Sequence, residues 1–355
     1  MNHNEIKMSA ERWREIARRI FRSWGAPDDI ALCVADSLVG ADLAGVYSHG
    51  VLRILQYYGF IQAGWLRPAH RPEVIKESPC TAVVDGRWGF GQPAAHKGLD
   101  LAMAKAQEHG IAGVGIMQGG HIGRLGEYME RATAANMIAL MAASGGRAGG
   151  LMVPYGGAER VLSTNPIAAG VPAREHTPFV MDFATSVVAA GKIELMPDQD
   201  MKIPVGWAVD AEGRPATTVR AFREGGAILP FGGHKGYALA LLVELLCGAL
   251  TGAGVTERPQ NVSTVGLGGN ATFIIVIDIS HFIDVDQFFA DVDGLFDRLH
   301  HVKPAPGFDR VVVPGEPEAA QRAKRLQEGY GVDRAVWDQI VAVAQERQVN
   351  LDDLL

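Results

Sequence analysis

The chain has 355 residues, 48% of them hydrophobic, with a formal net charge of -7 and three cysteines. That length and apolar content suffice for two domains with cores of their own, and the absence of any block of five like charges argues against a nucleic-acid partner. Cys33, Cys80 and Cys247 form no CxxC pair, which indicates neither a disulfide framework nor a thiolate zinc site, and suggests a reducing compartment.

Met1 to Ala10 is polar and Glu11 to Trp24 is studded with arginines, so no signal peptide is read and a cytoplasmic location is expected. Ser9 and the run from Ala10 to Ser23 predict an N-capped amphipathic helix, and Pro27-Asp28-Asp29 opens a second that runs to about Ala44. Gly45 to Ser48 breaks the pattern, Gly50 to Phe60 resumes it, and Gly64 to Pro72 is rich in turns. Thr81 to Gly86 reads as a strand, Pro93 to His109 as an alanine-rich helix, Ile111 to Met117 as a strand, and Gly119 to Gly126 as a loop. A helix over Glu127 to Ala135, a strand over Met137 to Ala143 and a flexible glycine-rich stretch from Gly145 to Gly157 follow.

Strands are expected near Ala168 to Val171 and Phe179 to Asp182. The run Gly236 to Val255 carries one charge, Glu244, and meets the length criterion for a membrane span. Its glycines, the lack of a second span and a mean hydropathy of +0.06 favour a helix buried in a soluble fold, with no membrane partner. Thr272 to Ile279 reads as a central strand, Val285 to Leu299 as a helix, and two helices close the chain. Alternating strands and helices argue for an α/β protein, with helices of both termini packing together as a separate layer.

The segment Tyr47-Ser48-His49-Gly50-Val51-Leu52-Arg53 sets a hydroxyl, an imidazole and a guanidinium close together. If the chain after Gly50 is helical, His49 and Arg53 share a face, and Arg53 clamps a small carboxylate beside an acid/base. On the alternative reading Ser48 merely caps the helix and the other two face solvent. His121 lies in a glycine-flanked loop after a strand, where ligands approach backbone, or else it simply occupies a turn. Gly232-Gly233-His234-Lys235-Gly236 brings backbone N–H groups and a lysine to a helix start, which suits an anion, though it lacks the Ser or Thr of a Walker motif.

Asp182 follows a strand and reads equally as a ribose ligand or a helix cap. Gly89-x-Gly91-x-x-Ala94 imitates a dinucleotide fingerprint, but its glycines come too late after the strand and Pro93 stands where a backbone donor is needed.

Taken in order, Tyr47-Ser48-His49-Gly50, Gly120-His121-Ile122-Gly123, Pro154-Tyr155-Gly156-Gly157, Ser163-Thr164-Asn165-Pro166, Met181 to Ser186, Gly233 to Tyr237 and Pro314-Gly315-Glu316-Pro317 resemble the type-2 malate/L-lactate dehydrogenase family, which also holds ureidoglycolate, sulfolactate and diketogulonate enzymes. The resemblance spans almost the whole chain. It implies a non-Rossmann NAD(P)-binding α/β fold with a helical domain built from both termini. The corresponding divisions are residues 1–115 for the helical, substrate-side region, 116–299 for cofactor binding, and 300–355 returning to the amino-terminal part.

The resemblance further implies an NAD- or NADP-dependent oxidoreductase that moves a hydride between nicotinamide and a small 2-hydroxy or 2-keto acid, in a homodimer. Ser48 and Arg53 would bind substrate, with Arg124 as a second carboxylate or phosphate contact. His121 or His49 would be the acid/base, His121 being favoured. Ser144, Asn165, Asp182, Phe183, Ala184, Lys235, Gly236, Gly315 and Glu316 would meet the cofactor, and no metal is implied. Arg160, Arg174 and Lys192 are candidates for a 2'-phosphate contact. Rival readings are a reductase of cyclic imine 2-carboxylates, a dinucleotide-binding sensor, and a metal-dependent hydrolase using His49, His109 and His121, for which no HxH or HExxH spacing exists.

Overall fold

A computed structural model describes residues 5–145, 150–189, 192–193, 196, 198–255 and 269–354. The chain opens with a short strand, β1 (Glu5–Met8), and then α1 (Ala10–Ser23), whose start is fixed by Ser9 accepting a hydrogen bond from the Arg12 amide. Trp13, Ile16, Ala17, Ile20 and Phe21 form the buried stripe of α1 and pack against α2 (Asp28–Leu43). Gly45, at φ +87°, takes the chain out of α2 into a 3-10 turn, Tyr47–His49, and α3 (Arg53–Gln62) follows.

The central sheet begins with β2 (Glu73–Glu77) and β3 (Thr81–Asp85), crosses through α4 (Gly91–His109) and returns as β4 (Ile111–Gly119). Next come α5 (Gly126–Ala134), β5 (Met137–Ser144), β6 (Ile167–Val171) and β7 (Phe179–Phe183). Beyond a small ribbon of β8 (Ala208–Val209) and β9 (Ala227–Ile228), α6 (His234–Glu244) continues as a π-helical turn, Leu245–Leu250. The chain ends with β10 (Asn270–Asp278), α7 (Val285–His300), α8 (Glu316–Glu328), β11 (Tyr330–Asp333) and α9 (Arg334–Glu346).

The seven strands of the sheet run in the order β2-β3-β4-β10-β5-β6-β7, and β3 with β4 is its one parallel pair. That pair is the one joined by a helix, as parallel strands require. The expected central strand is β10, bonded on both sides and antiparallel to each neighbour. Helices α4 and α5 cover one face of the sheet, and the turn after α6 contacts β4, β5 and β10.

The candidate membrane run thus divides into α6 and a turn that ends before Gly252 and Gly254, both at positive φ. No helix among the described residues is long and apolar enough to cross a membrane.

A second core joins the two ends of the chain. β1 pairs with β11, and Trp13, Phe21, Tyr57, Phe90, Tyr330 and Trp337 pack in one cluster with α2. Ala82 and Val84 of β3, Leu99 and Ala102 of α4, and Val114 and Ile116 of β4 pack in the sheet's own core with Met141 and Ile274. Most of the flexible stretch expected from 145 to 157 is described, apart from residues 146–149, and Met152 pairs there with Leu162 and Ile228.

Candidate active site

The expected juxtaposition of His49 and Arg53 exists, but a helical face does not create it. Gly50 is extended, which separates the 3-10 turn from α3. A Cβ on Gly50 would fall 1.8 Å from Asp42 Oδ1, so this residue must be glycine for the buried Asp42 to accept the Val51 amide at 2.9 Å. Arg53 then folds back and donates from Nε to the Ser48 carbonyl at 2.6 Å and from Nη1 to Gln56 Oε1 at 2.6 Å. Ser48 caps no helix; its Oγ lies 3.0 Å from His49 Nδ1.

The loop after β4 brings in the second histidine. The His121 ring stacks on His49 with centroids 5.4 Å apart and planes 25° apart, and Tyr57 Oη is 2.9 Å from His121 Nδ1. The loop is held by Asn270, whose Oδ1 accepts from the Ile122 amide at 3.0 Å and whose Nδ2 donates to the Ser144 carbonyl at 3.2 Å. Gly91 is the other support. A Cβ there would lie 2.1 Å from Gly120 O and 2.6 Å from His121 O, so the apparent dinucleotide fingerprint serves close packing of α4 against this loop.

Arg53 is half-buried and pairs with no carboxylate among the described residues, although an unpaired cation in such a place is unfavourable. Burial, followed by the field of Arg53 and then of Arg124, pushes His49 down to about 4. Burial, Arg53 and His49 together hold His121 well below the ordinary imidazole value. An uncompensated guanidinium therefore sits beside two stacked imidazoles that are neutral at pH 7.

Arg124 stands beside the site rather than open to a ligand. It is 3% exposed at its side chain, donates to Glu130 Oε1 at 2.6 Å and lies 4.0 Å from Asp182 Oδ2. Asp182 accepts the Gly126 amide at 2.7 Å, which makes it the anion at the start of α5. Ser144 and Asn165, expected at the cofactor, are fully buried and both donate to Glu244 Oε2, at 2.8 and 2.9 Å, so they brace α6 against the sheet. The carboxylate of Glu316 is bound by His300 Nε2 at 2.6 Å, while Gly315, at φ +104°, leaves room for the Pro178 carbonyl. Arg160 is bonded to the Gly226 carbonyl and Arg174 to Asp286, so both are committed to structure; Lys192 is exposed.

The remaining expected cofactor residues do gather. Phe183, 40% exposed at the end of the edge strand β7, has its ring 5.7 Å from Phe231. Ala184 continues this edge, Phe231 donates its amide to the Thr185 carbonyl at 3.0 Å, and a Cβ on Gly236 would strike Phe231 O at 2.2 Å. Lys235 is exposed at the first turn of α6 and has no partner among the described residues. An open aromatic face beside a free ammonium and small residues fits a nucleotide's ring and phosphates. No cluster suited to a metal occurs among the described residues.

Three supporting residues were not singled out in the sequence. Tyr57 lies one helical turn beyond Arg53, a spacing that points to the same face. Gln92 was visible only as part of a rejected fingerprint. Asn270 carried no local signal.

The fold is that of an α/β protein in which Arg53, without a carboxylate partner among the described residues, lies beside His49 and His121, and in which Phe183, Lys235 and Gly236 gather at the end of the edge strand. Residues 8–341 match the family described as Malate/L-lactate dehydrogenase, and the chain belongs to it. It is 35% identical to the malate dehydrogenase of Pyrococcus horikoshii over 97% of this chain and 96% of that one. The solved structure of that enzyme superposes with a TM-score of 0.86, covering 98% of this chain and 97% of the other. Identity to the L-sulfolactate dehydrogenase of Methanocaldococcus jannaschii is also 35%, over 98% and 99% of the two chains. The delta1-piperideine-2-carboxylate reductase of Pseudomonas syringae superposes with a TM-score of 0.83 at 30% identity, over 96% of this chain and 100% of that one.

Proposed function

We propose that this chain is an NAD(P)-dependent oxidoreductase acting between a small 2-hydroxy acid and its 2-keto acid. The observation that carries this reading is the half-buried Arg53, without a carboxylate partner among the described residues, beside the neutral pair His49 and His121. Arg53 binds the substrate carboxylate through the guanidinium protons that Ser48 and Gln56 leave free, which fixes the reacting carbon and makes the step effectively unimolecular.

His121 meets the substrate oxygen, and His49, oriented by Ser48, lies against it, so the pair handles the proton there. Lys235 and Gly236 would hold the cofactor phosphates, with Phe183 and Ala184 against its ring and Asp182 behind them. The nicotinamide supplies the hydride when bound. The dehydrogenases among its relatives support this reading.

A second reading, reduction of a cyclic imine 2-carboxylate, is favoured by the likeness to the Pseudomonas syringae reductase and uses the same carboxylate clamp. The test is the absorbance of reduced nicotinamide with a panel of 2-keto acids and cyclic imine carboxylates, each with NADH and with NADPH. Turnover of a keto acid supports the first reading and turnover of imines alone the second. Binding of the dinucleotide without turnover of any member would leave a sensor. We further propose a homodimer in the cytoplasm. Leu241, Leu242, Leu245 and Leu250 are all exposed along α6 and its π-helical turn, an apolar face suited to a second copy.

A further inference from the structure

We propose that Gln92, acting through Tyr57, fixes the tautomer of His121, so that the ring accepts hydrogen bonds at Nδ1 and presents its N–H at Nε2. The backbone sets the place of one proton at this ring. The Gly123 amide lies 3.3 Å from His121 Nδ1 and points at it. A backbone N–H only donates, so Nδ1 must accept, and the proton of the neutral ring is then on Nε2.

Tyr57 Oη is 2.9 Å from the same nitrogen and must therefore donate to it. Its oxygen is left to accept from its other neighbour, and Gln92 Nε2 stands 2.8 Å away as that donor. The reversed amide would place an acceptor against Tyr57 and draw its proton away from the ring, leaving Nδ1 either with its lone pair against the Tyr57 oxygen or with a proton against the Gly123 amide proton. The chain of donors thus runs one way, from Gln92 to Tyr57 to His121.

Gln92 is fully buried, and its Oε1 has no partner among the described residues, so burying the amide is unfavourable except for the bond to Tyr57. It sits in the first turn of α4 directly after Gly91, where a Cβ would strike the carbonyls of Gly120 and His121. One helix start therefore places both the loop and the donor that sets the ring.

A ring with N–H outward donates a hydrogen bond to an acceptor, which is what a keto oxygen or an imine nitrogen offers. The resting site is accordingly set for the reductive direction. This rests on the reading of His121 as the ring that meets the substrate oxygen, and on that reading Gln92 and Tyr57 are positioning residues.

The test is nitrogen NMR of the full-length protein with ring-labelled histidine, the His121 signals being assigned by their loss in His121→Gln. The expected result is an unprotonated Nδ1 and a protonated Nε2. Tyr57→Phe and the similarly sized Gln92→Leu should lower kcat on reduction by about tenfold with KM for the carboxylate changed less than about threefold, because Arg53 is untouched. Both should blur the single tautomer, and Gln92→Glu, which puts an acceptor where the donor was, should move the ring toward Nδ1–H. A protonated Nδ1 in the wild type overturns the proposal, as does an unchanged tautomer and kcat in both Tyr57→Phe and Gln92→Leu. Wild-type turnover by His121→Gln, with the expected tautomer intact in the native protein, would instead remove the catalytic reading of His121 and leave the tautomer assignment standing.

Discussion

Replacing Arg53 by methionine should separate activity from stability in opposite directions, because this cation is needed by the ligand and unwelcome to the fold. In the free protein it makes two hydrogen bonds, to Ser48 O and Gln56 Oε1, and faces no carboxylate among the described residues. Losing those bonds costs about 2 to 3 kcal/mol. Removing a half-buried, unpaired charge returns several kcal/mol of desolvation, by order of magnitude, and the methionine stem refills the space.

Unfolding free energy in urea should therefore change by less than about 1 kcal/mol, or rise. Catalysis should not be spared. Truncating one partner of a buried charged pair costs roughly 2 to 5 kcal/mol, which is about 30-fold to several-thousand-fold in kcat/KM for the acid. Arg53→Lys keeps the charge without the fork and should lose less, about tenfold to a hundredfold. The assays are urea denaturation and initial rates on the best substrate of the keto-acid panel. A loss of more than about 2 kcal/mol of stability in Arg53→Met would refute the idea of a strained, waiting cation. Retention of kcat/KM within fivefold would refute the carboxylate clamp.

Gly91→Ala puts a methyl group 2.1 Å from Gly120 O, so it should cost about 1 to 3 kcal/mol of stability and displace His121 enough to lower kcat at least tenfold, readable in the same two assays. Folding lowers the His49 pKa from 6.5 to about 4, so the unfolded chain holds more protons between those values and stability falls as pH drops through that window. That contribution amounts to roughly 3 kcal/mol at most, so the fall in urea titrations should be smaller by that amount in His49→Gln while the share of the likewise lowered His121 persists, whereas an unchanged pH slope in the variant would contradict it.

Asp42, raised by burial to about 7, acts with the opposite sign and loses stability as pH rises from about 4, so only the difference between wild type and the His49 variant isolates the histidine. Lys235→Ala should raise the cofactor KM about tenfold and leave the KM for the acid unchanged; equal shifts in both would remove Lys235 from the phosphate site. Leu242→Glu should lower the solution mass measured by light scattering toward that of one chain, and an unaltered mass would place any interface elsewhere.

Residue types at the site were readable before any coordinates, and their geometry was not. Ser48, His49 and Arg53 announce themselves because a hydroxyl, an imidazole and a guanidinium crowd into six residues. How they meet depends on Asp42, a helix earlier, whose buried carboxylate reaches the Val51 amide and forces Gly50 out of the helical region. No local pattern carries a contact of that kind. The same holds for the strands. The core strands β4, β5 and β10 have apolar runs, whereas β1 and β2 read Glu-Ile-Lys-Met and Glu-Val-Ile-Lys-Glu, with charges that suit exposed edges and hide a strand from any search for hydrophobic periodicity.

Glycines mislead in a related way. Gly89-x-Gly91 looks like a phosphate cradle, yet the space its missing Cβ leaves is filled by the backbone of the His121 loop. The spacing that suggested a cofactor site is thus a support for the substrate site. That exchange of roles explains why Gln92 was invisible, since it follows Gly91 and inherits its place against the loop. A polar residue buried with one hydrogen bond and one orphaned oxygen is tolerated where it orients something else, and here its hydrogen-bond partner among the described residues is the hydroxyl that touches His121. Two neutral rings, one cation without a carboxylate among the described residues and one line of donors are, on the proposed reading, complementary to an anion with an acceptor oxygen next to its carboxylate.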